Sequence, residues 1–166
     1  MQSFQARFSA YGFHAEALCP VYGLAESSVG LTFPPLHRKP LIDRIRRLEF
    51  SRSGQAIAAE PDDPRALRFV ACGHPLPHHE VRVVNAASHE LPERQQGAIQ
   101  FRGPSACSGY FHNSQATREL FDGEWLRSGD LGYFAERGPV YHRSQQGCDH
   151  SCWPQHLPRR VGRGHW

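Results

Sequence analysis

The chain has 166 residues, a length suited to one ordinary domain, with a hydrophobic content of 39% that is slightly low for a complete core. Its formal charge of +3 comes almost entirely from arginines, scattered except for Arg44, Arg46, Arg47 and the terminal Arg159, Arg160 and Arg163, which excludes a nucleic-acid face. Thirteen prolines and fifteen glycines argue against a helical bundle, and no apolar run reaches membrane-spanning length.

The N-terminus lacks the basic segment and apolar run of a secretory signal. Five cysteines without framework spacing fit a reducing cytoplasm. Phe4, Phe8 and Tyr11 recur at helical spacing behind Ser3, with Gly12 as terminator, and predict an amphipathic helix of two to three turns. The mostly apolar run Ala15-Glu16-Ala17-Leu18-Cys19-Pro20-Val21 reads as a short buried strand. Both elements lack partners nearby in the sequence, so the chain is expected to begin in the middle of a domain.

The strand would deliver Val21-Tyr22-Gly23-Leu24-Ala25-Glu26-Ser27 to the edge where open α/β sheets bind ligands. Tyr22 offers an aromatic face for a purine, Gly23 permits close approach to the backbone, and Glu26 is a hard oxygen ligand for Mg2+ beside phosphates. Taken alone, the same residues describe a strand end, a turn glycine and a solvated glutamate.

Residues 31–66 carry little apolar periodicity, with Pro34-Pro35, the basic run Ile42 to Arg47, and Pro61-Asp62-Asp63-Pro64, and read as an irregular insertion. After it the texture changes. Leu67 to Val70, Glu80 to Val84 and Ala98 to Arg102 are short alternating runs between turn residues, the pattern of antiparallel β in a small barrel or sandwich. Asn113 or Ser114 can cap a helix running to Phe121. Trp125-Leu126 and Leu131 to Phe134 read as further strands, the second turning at Arg137-Gly138 into Pro139 to Tyr141.

Taken in order, Tyr22-Gly23-Leu24-Ala25-Glu26, Gly73-His74-Pro75-Leu76-Pro77, Glu80 to Val84, Gly97 to Gly103 with Ser108-Gly109-Tyr110, and Trp125 to Leu131 resemble successive motifs of the adenylate-forming (AMP-binding) acyl ligases. These include acyl-CoA synthetases and fatty-acyl-AMP ligases, and the resemblance covers residues 4 to 141. It implies a mixed α/β fold, the end of an α/β sheet subdomain (1–30) and an insertion (31–66) followed by a small antiparallel β-barrel subdomain (67–141). It also implies ATP or AMP and Mg2+ as cofactors, with a fatty acid activated as its adenylate and passed to an acyl carrier protein or coenzyme A.

By the same resemblance Tyr22 stacks on adenine, Asp130 accepts from the ribose hydroxyls, Glu26 holds Mg2+, and Gly23, Leu24, Ala25 and Ser27 complete the nucleotide loop. Many members have threonine at the Ala25 position; alanine resembles the fatty-acyl-AMP ligase branch, and Ser27 offers a hydroxyl in its stead. The long interval from Ser27 to Gly73 resembles the insertion of that branch, which restrains a mobile C-terminal domain.

The family's Ser/Thr/Gly-rich phosphate loop with its lysine has no counterpart here, nor have its Gly-Arg-x-Lys-Asp hinge and catalytic lysine. The expectation is therefore a fragment without catalytic competence. Residues 142–166 hold four histidines, four arginines, one acid and no lysine, a composition that builds no core and predicts disorder. Codons permissible for His142 to Pro158, read one base later, spell a hinge in family style, so this tail reads as the product of a frameshift. The rival reading is a small metal- or partner-binding protein using His142, Cys148, His150, Cys152 and His156, although their spacing matches no strong zinc motif. Cys72 and Cys107 read as small packed residues, and His74, His78 and His79 as solvated residues around a proline turn.

Overall fold

The computed structural model describes residues 1–136 and 138–144. Helix α1 (Gln2–Phe8) continues as a 3-10 turn over Ser9–Tyr11 and stops at Gly12, whose φ of 81° is the left-handed conformation glycine adopts freely. Phe4 packs against Phe8, four residues on, with the rings tilted, and edge-on against Phe13 beyond the turn. The strand expected from Ala15 to Val21 does not form. Ala15–Ala17 is a 3-10 turn, and the chain enters a ladder only at Tyr22, through a single bridge to Thr32. Pro20 has no N–H to give, and among the described residues no strand lies alongside to satisfy a two-sided ladder.

Residues 31–66 hold more regular structure than their weak periodicity predicts. Strand β1 (Thr32–Phe33) is followed by β2 (Ile42–Ile45) and helix α2 (Arg47–Ser53), and β2 pairs antiparallel with β3 (Leu67–Val70). The basic run works locally. Arg44 donates to the Pro61 and Asp63 carbonyls and Arg47 to the Arg65 carbonyl, so the arginines staple the proline-rich return. Ile45, Phe50, Ala56, Ala71 and Tyr133 form a buried cluster here, flanked by Leu41, Leu67, Phe69 and Ala135. Each large side chain removed from water there contributes about 1.5 to 3 kcal/mol.

The alternating runs form the expected antiparallel sheet. Strand β4 (His74–Pro75) pairs with β1, and then β5 (Glu80–Val84), β6 (Gly97–Arg102), β7 (Phe121–Asp122), β8 (Trp125–Ala135) and β9 (Gly138–Ser144) build five strands curled into a half-barrel. Residues Trp125 to Phe134, read as two strands, are one long strand bulged at its centre. Helix α3 (Ser114–Leu120) starts where its cap predicts, with the Asn113 side chain accepting from the Ala116 N–H. The β9 backbone runs past Tyr141 to Ser144, into the segment expected to be disordered, while residues 145–166, with Cys148, His150, Cys152 and His156, lie outside the described residues.

Strand β6 is buried on both faces. Phe101 joins Leu31, Leu120 and Leu126 in a second core, onto which Tyr22, Leu24, Val81, Ala106 and Cys107 pack. On the opposite face Gln100 accepts from Arg82 and donates to Asp122, and the Trp125 ring lies between the Arg82 and Arg102 guanidiniums, 4.2 and 4.6 Å from its centre. No helix among the described residues is long and apolar enough to cross a membrane.

Candidate functional site

The second core fixes the position of the Tyr22 loop. Leu24 and Leu31 are anchored in it at the two ends of a tight excursion, closed by hydrogen bonds from Leu31 N and Thr32 N to the Tyr22 carbonyl and from Val29 N to the Leu24 carbonyl. Gly23 is required for closure. A Cβ there would sit 1.5 Å from the Val29 carbonyl oxygen, so it is the chain's own backbone that approaches. Ser28 and Val29 turn at φ of 49° and 77°, a costly conformation for a β-branched residue. Ala25 and Gly23 are exposed, and Glu26 lies half-buried in the 3-10 turn Ala25–Ser27.

From the barrel side, Asp130 is delivered by the bulge in β8. Ala98 pairs with Leu131 and Gln100 with Arg127, leaving Ser128, Gly129 and Asp130 opposite a single β6 residue. Ser128 Oγ donates to the Ile99 carbonyl and accepts from the Asp130 N–H, which fixes the bulge. Tyr22 and Asp130 meet there: the Tyr22 hydroxyl donates to Asp130 Oδ2 at 2.8 Å. Burial, followed by the hydrogen bond to Asp130, raises the phenol well above its ordinary range, while Ser128 opposes them. Tyr22 is therefore a neutral donor at any ordinary pH.

A second loop, residues 103–110, clasps the first. Cys107 N donates to the Glu26 carbonyl, and Tyr110 Oη donates to Glu26 Oε1 at 2.6 Å. That bond, aided by burial, pushes the Tyr110 phenol up to about 12. Ser27, fully buried, donates to the Gly30 carbonyl, and its Oγ lies 3.1 Å from Ser105 Oγ, so its hydroxyl faces the protein interior. His79, expected to be solvated, lies instead in this network. Its Nε2 is 2.6 Å from Ser105 Oγ and its Nδ1 is 3.0 Å from the Pro77 carbonyl. The tautomer protonated at Nδ1 donates to Pro77 and leaves Nε2 to accept the Ser105 proton. Gly103 leaves room for the His79 ring, which a Cβ there would meet at 2.3 Å.

Sequence reasoning therefore named Tyr22, Glu26, Ser27 and Asp130 but missed Tyr110, Ser105 and His79 as their partners. The Ser108-Gly109-Tyr110 motif was visible as a motif, but nothing in its spacing links it to Glu26, 84 residues away. Cys72 is packed as expected, and burial pushes its thiol up to about 11.

The donor set suits one kind of cation. Among the described residues no group of three or more His, Cys, Asp or Glu side chains could hold a metal. Glu26 is a single carboxylate with Oε1 engaged and Oε2 not bound to Tyr110. A lone carboxylate fits Mg2+, which completes its octahedron with waters and substrate phosphates, and does not fit a zinc cage.

Comparison with known proteins gives the chain's relatives. Residues 1–111 match the family described as AMP-binding enzyme. The chain is 30% identical over 145 residues to the medium-chain fatty acid to acyl-carrier-protein ligase TtuA of Teredinibacter turnerae, a match covering 78% of this chain and 22% of that protein. A structure from work on the fatty acyl-adenylate ligases of E. coli and L. pneumophila superposes with a TM-score of 0.76 at 30% identity, over 86% of this chain and 26% of that one. The L. pneumophila fatty acyl-adenylate ligase in complex with acyl adenylate and pyrophosphate gives 0.79 at 26% identity, over 89% and 26%. This chain thus spans about a quarter of the length of the proteins it matches. It belongs to the AMP-binding enzyme family.

Proposed function

We propose that these residues form the adenosine- and Mg2+-holding face of an ATP-dependent fatty-acid ligase. In the parent reaction a fatty acid carboxylate attacks the α-phosphate of ATP, releasing pyrophosphate, and the acyl group of the resulting adenylate passes to an acyl carrier protein or coenzyme A. The observation that carries the reading is the Tyr22 to Asp130 hydrogen bond, which joins an aromatic ring and a carboxylate from motifs 108 residues apart.

In this reading Tyr22 offers its ring to adenine. Asp130 uses its remaining lone pairs to accept from the ribose hydroxyls, since a carboxylate accepts about four hydrogen bonds and Tyr22 takes one. Gly23, Leu24 and Ala25 form the floor beneath the nucleotide, with Ser27 holding that floor in place from behind. Glu26 would hold Mg2+, which supplies charge neutralisation at the phosphates when bound. The chain's one lysine, Lys39, ion-pairs with Glu16 at 3.8 Å. We assign these residues nucleotide holding, in a cytoplasmic setting that suits the free Cys19, Cys72 and Cys107. Residues 1–30 serve to carry the Tyr22 loop, 31–66 as the insertion and 67–144 as the barrel, with 145–166 as a dispensable tail.

The test is AMP binding by calorimetry on the full chain, on a chain ending at Ser144, where β9 ends, and on Tyr22→Ala and Asp130→Ala. We expect both substitutions to weaken AMP by about tenfold or more while truncation changes nothing. Binding that disappears with the tail and survives both substitutions would instead favour a ligand site in residues 145–166.

A further inference from the structure

We propose that Tyr110 is a positioning residue for the cation: it holds the Glu26 carboxylate so that Oε2 is presented to a divalent ion. The inference rests on the reading of Glu26 as the Mg2+ ligand and adds to it the group that orients that ligand.

Both ends of the Tyr110 to Glu26 pair are fixed before the pair forms. On one side, the Glu26 backbone is held by the Cys107 N–H on its carbonyl and by the buried hydroxyl of its neighbour Ser27. On the other, the Tyr110 N–H donates to Thr117 Oγ1, and the Tyr110 carbonyl accepts from the Asn113 N–H at the start of α3. Gly109 makes the approach possible, because at its φ of 136° a Cβ would press into Thr117 at 2.5 Å. The side chains then close the remaining distance with a 2.6 Å bond to Oε1 alone.

A glutamate has several rotatable bonds, and an exposed one samples many orientations, each a cost to be met again when a cation binds. A phenol on one oxygen removes most of that freedom and leaves the other oxygen for the metal. Such outer partners of ligating carboxylates change metal affinity by about 10- to 100-fold when removed. As a fold contact the bond matters little: Tyr110 is 41% exposed, and exposed hydrogen bonds exchange readily with water. Its geometry has consequence mainly for what Glu26 binds.

The experiment measures ATP affinity of the full chain by calorimetry with and without Mg2+, together with AMP affinity without metal, for the native sequence, Tyr110→Phe and Glu26→Gln. Tyr110→Phe keeps the ring and deletes only the donor. We expect it to lose about tenfold of the Mg2+-dependent gain while metal-free AMP affinity is unchanged, a split that general loosening of the fold would not produce. Thr117→Val, which loosens the root of Tyr110 and leaves the phenol in place, should lose a smaller part of the same gain. If Glu26→Gln removes the gain while Tyr110→Phe keeps it or raises it, the inference is overturned and the Glu26 reading stands. If the native chain shows no gain, or Glu26→Gln keeps it, the Glu26 reading fails and the inference fails with it.

Discussion

Tyr22 and Asp130 are 108 residues apart, yet the phenol of one donates to the carboxylate of the other at 2.8 Å. The bond ties the loop before β1 to the bulge of β8, so the ring and the carboxylate proposed for base and sugar move as one unit. Tyr22→Phe should therefore cost about 1 kcal/mol of stability, the usual value of a half-buried hydrogen bond. It should also weaken adenosine more than 2′-deoxyadenosine, because Asp130 loses its orientation. A double-mutant cycle with Asp130→Asn checks this: a coupling energy near zero would mean the two residues act independently.

The turn between Leu24 and Leu31 is tight enough to be tested by a single methyl group. Gly23→Ala places a Cβ against the Val29 carbonyl and should destabilise the chain by roughly 1 to 3 kcal/mol, the scale of overpacking. Val29→Gly should do the opposite, by about 1 kcal/mol, since Val29 is exposed and held at positive φ. Chemical denaturation of both variants is the measurement. A neutral Gly23→Ala would show that the loop is free to open.

Acid should attack the outer face of the barrel through Asp122. The Ser88 hydroxyl, then the Gln100 amide, then Arg127 and Arg82 hold its carboxyl below the ordinary value, with burial opposing them. A depressed folded value means the stabilisation is complete above the unfolded carboxylate pKa of about 3.9 and is lost as pH falls through the lower folded value. Asp122→Asn should lose that stabilisation at neutral pH and flatten the acid limb, so that the two proteins converge as pH falls through the folded value. Parallel limbs for both proteins would contradict the assignment.

Cys72 should behave as a packed thiol. Burial pushes it up to about 11, so its alkylation rate should keep climbing up to that pH, whereas exposed Cys19 is modified first. Mass spectrometry of a timed iodoacetamide reaction separates the two sites. A Cys72 profile that levels off near the ordinary thiol value of about 8.5 would place it in water instead.

Much of the β structure was legible because its signals are local. Alternation marks β3, β5 and β6, and Asn113 caps α3 with its own side chain, so neither needs distant partners to be recognised. The errors arose where local pattern and tertiary context part. Ala15 to Val21 has the apolar content of a buried strand, but a strand is stable only beside another, and Pro20 interrupts its donors. Residues 42–53 show no clear period, yet β2 and α2 form because Ile45 and Phe50 find Tyr133, some eighty residues on, as a core.

Chemical identity was carried by residue type in the sequence alone: an aromatic, a glycine and two carboxylates in motifs whose order matches one family. Tertiary structure alone decided how they are presented. Tyr22 meets Asp130 through a bulge, Glu26 is oriented by Tyr110, and Ser27 turns inward to Ser105, which His79 holds in turn. The physical reason is range. Side-chain chemistry and turn propensity are properties of a few adjacent residues, whereas a hydrogen bond between loops exists only after two hydrophobic clusters have brought those loops within 3 Å.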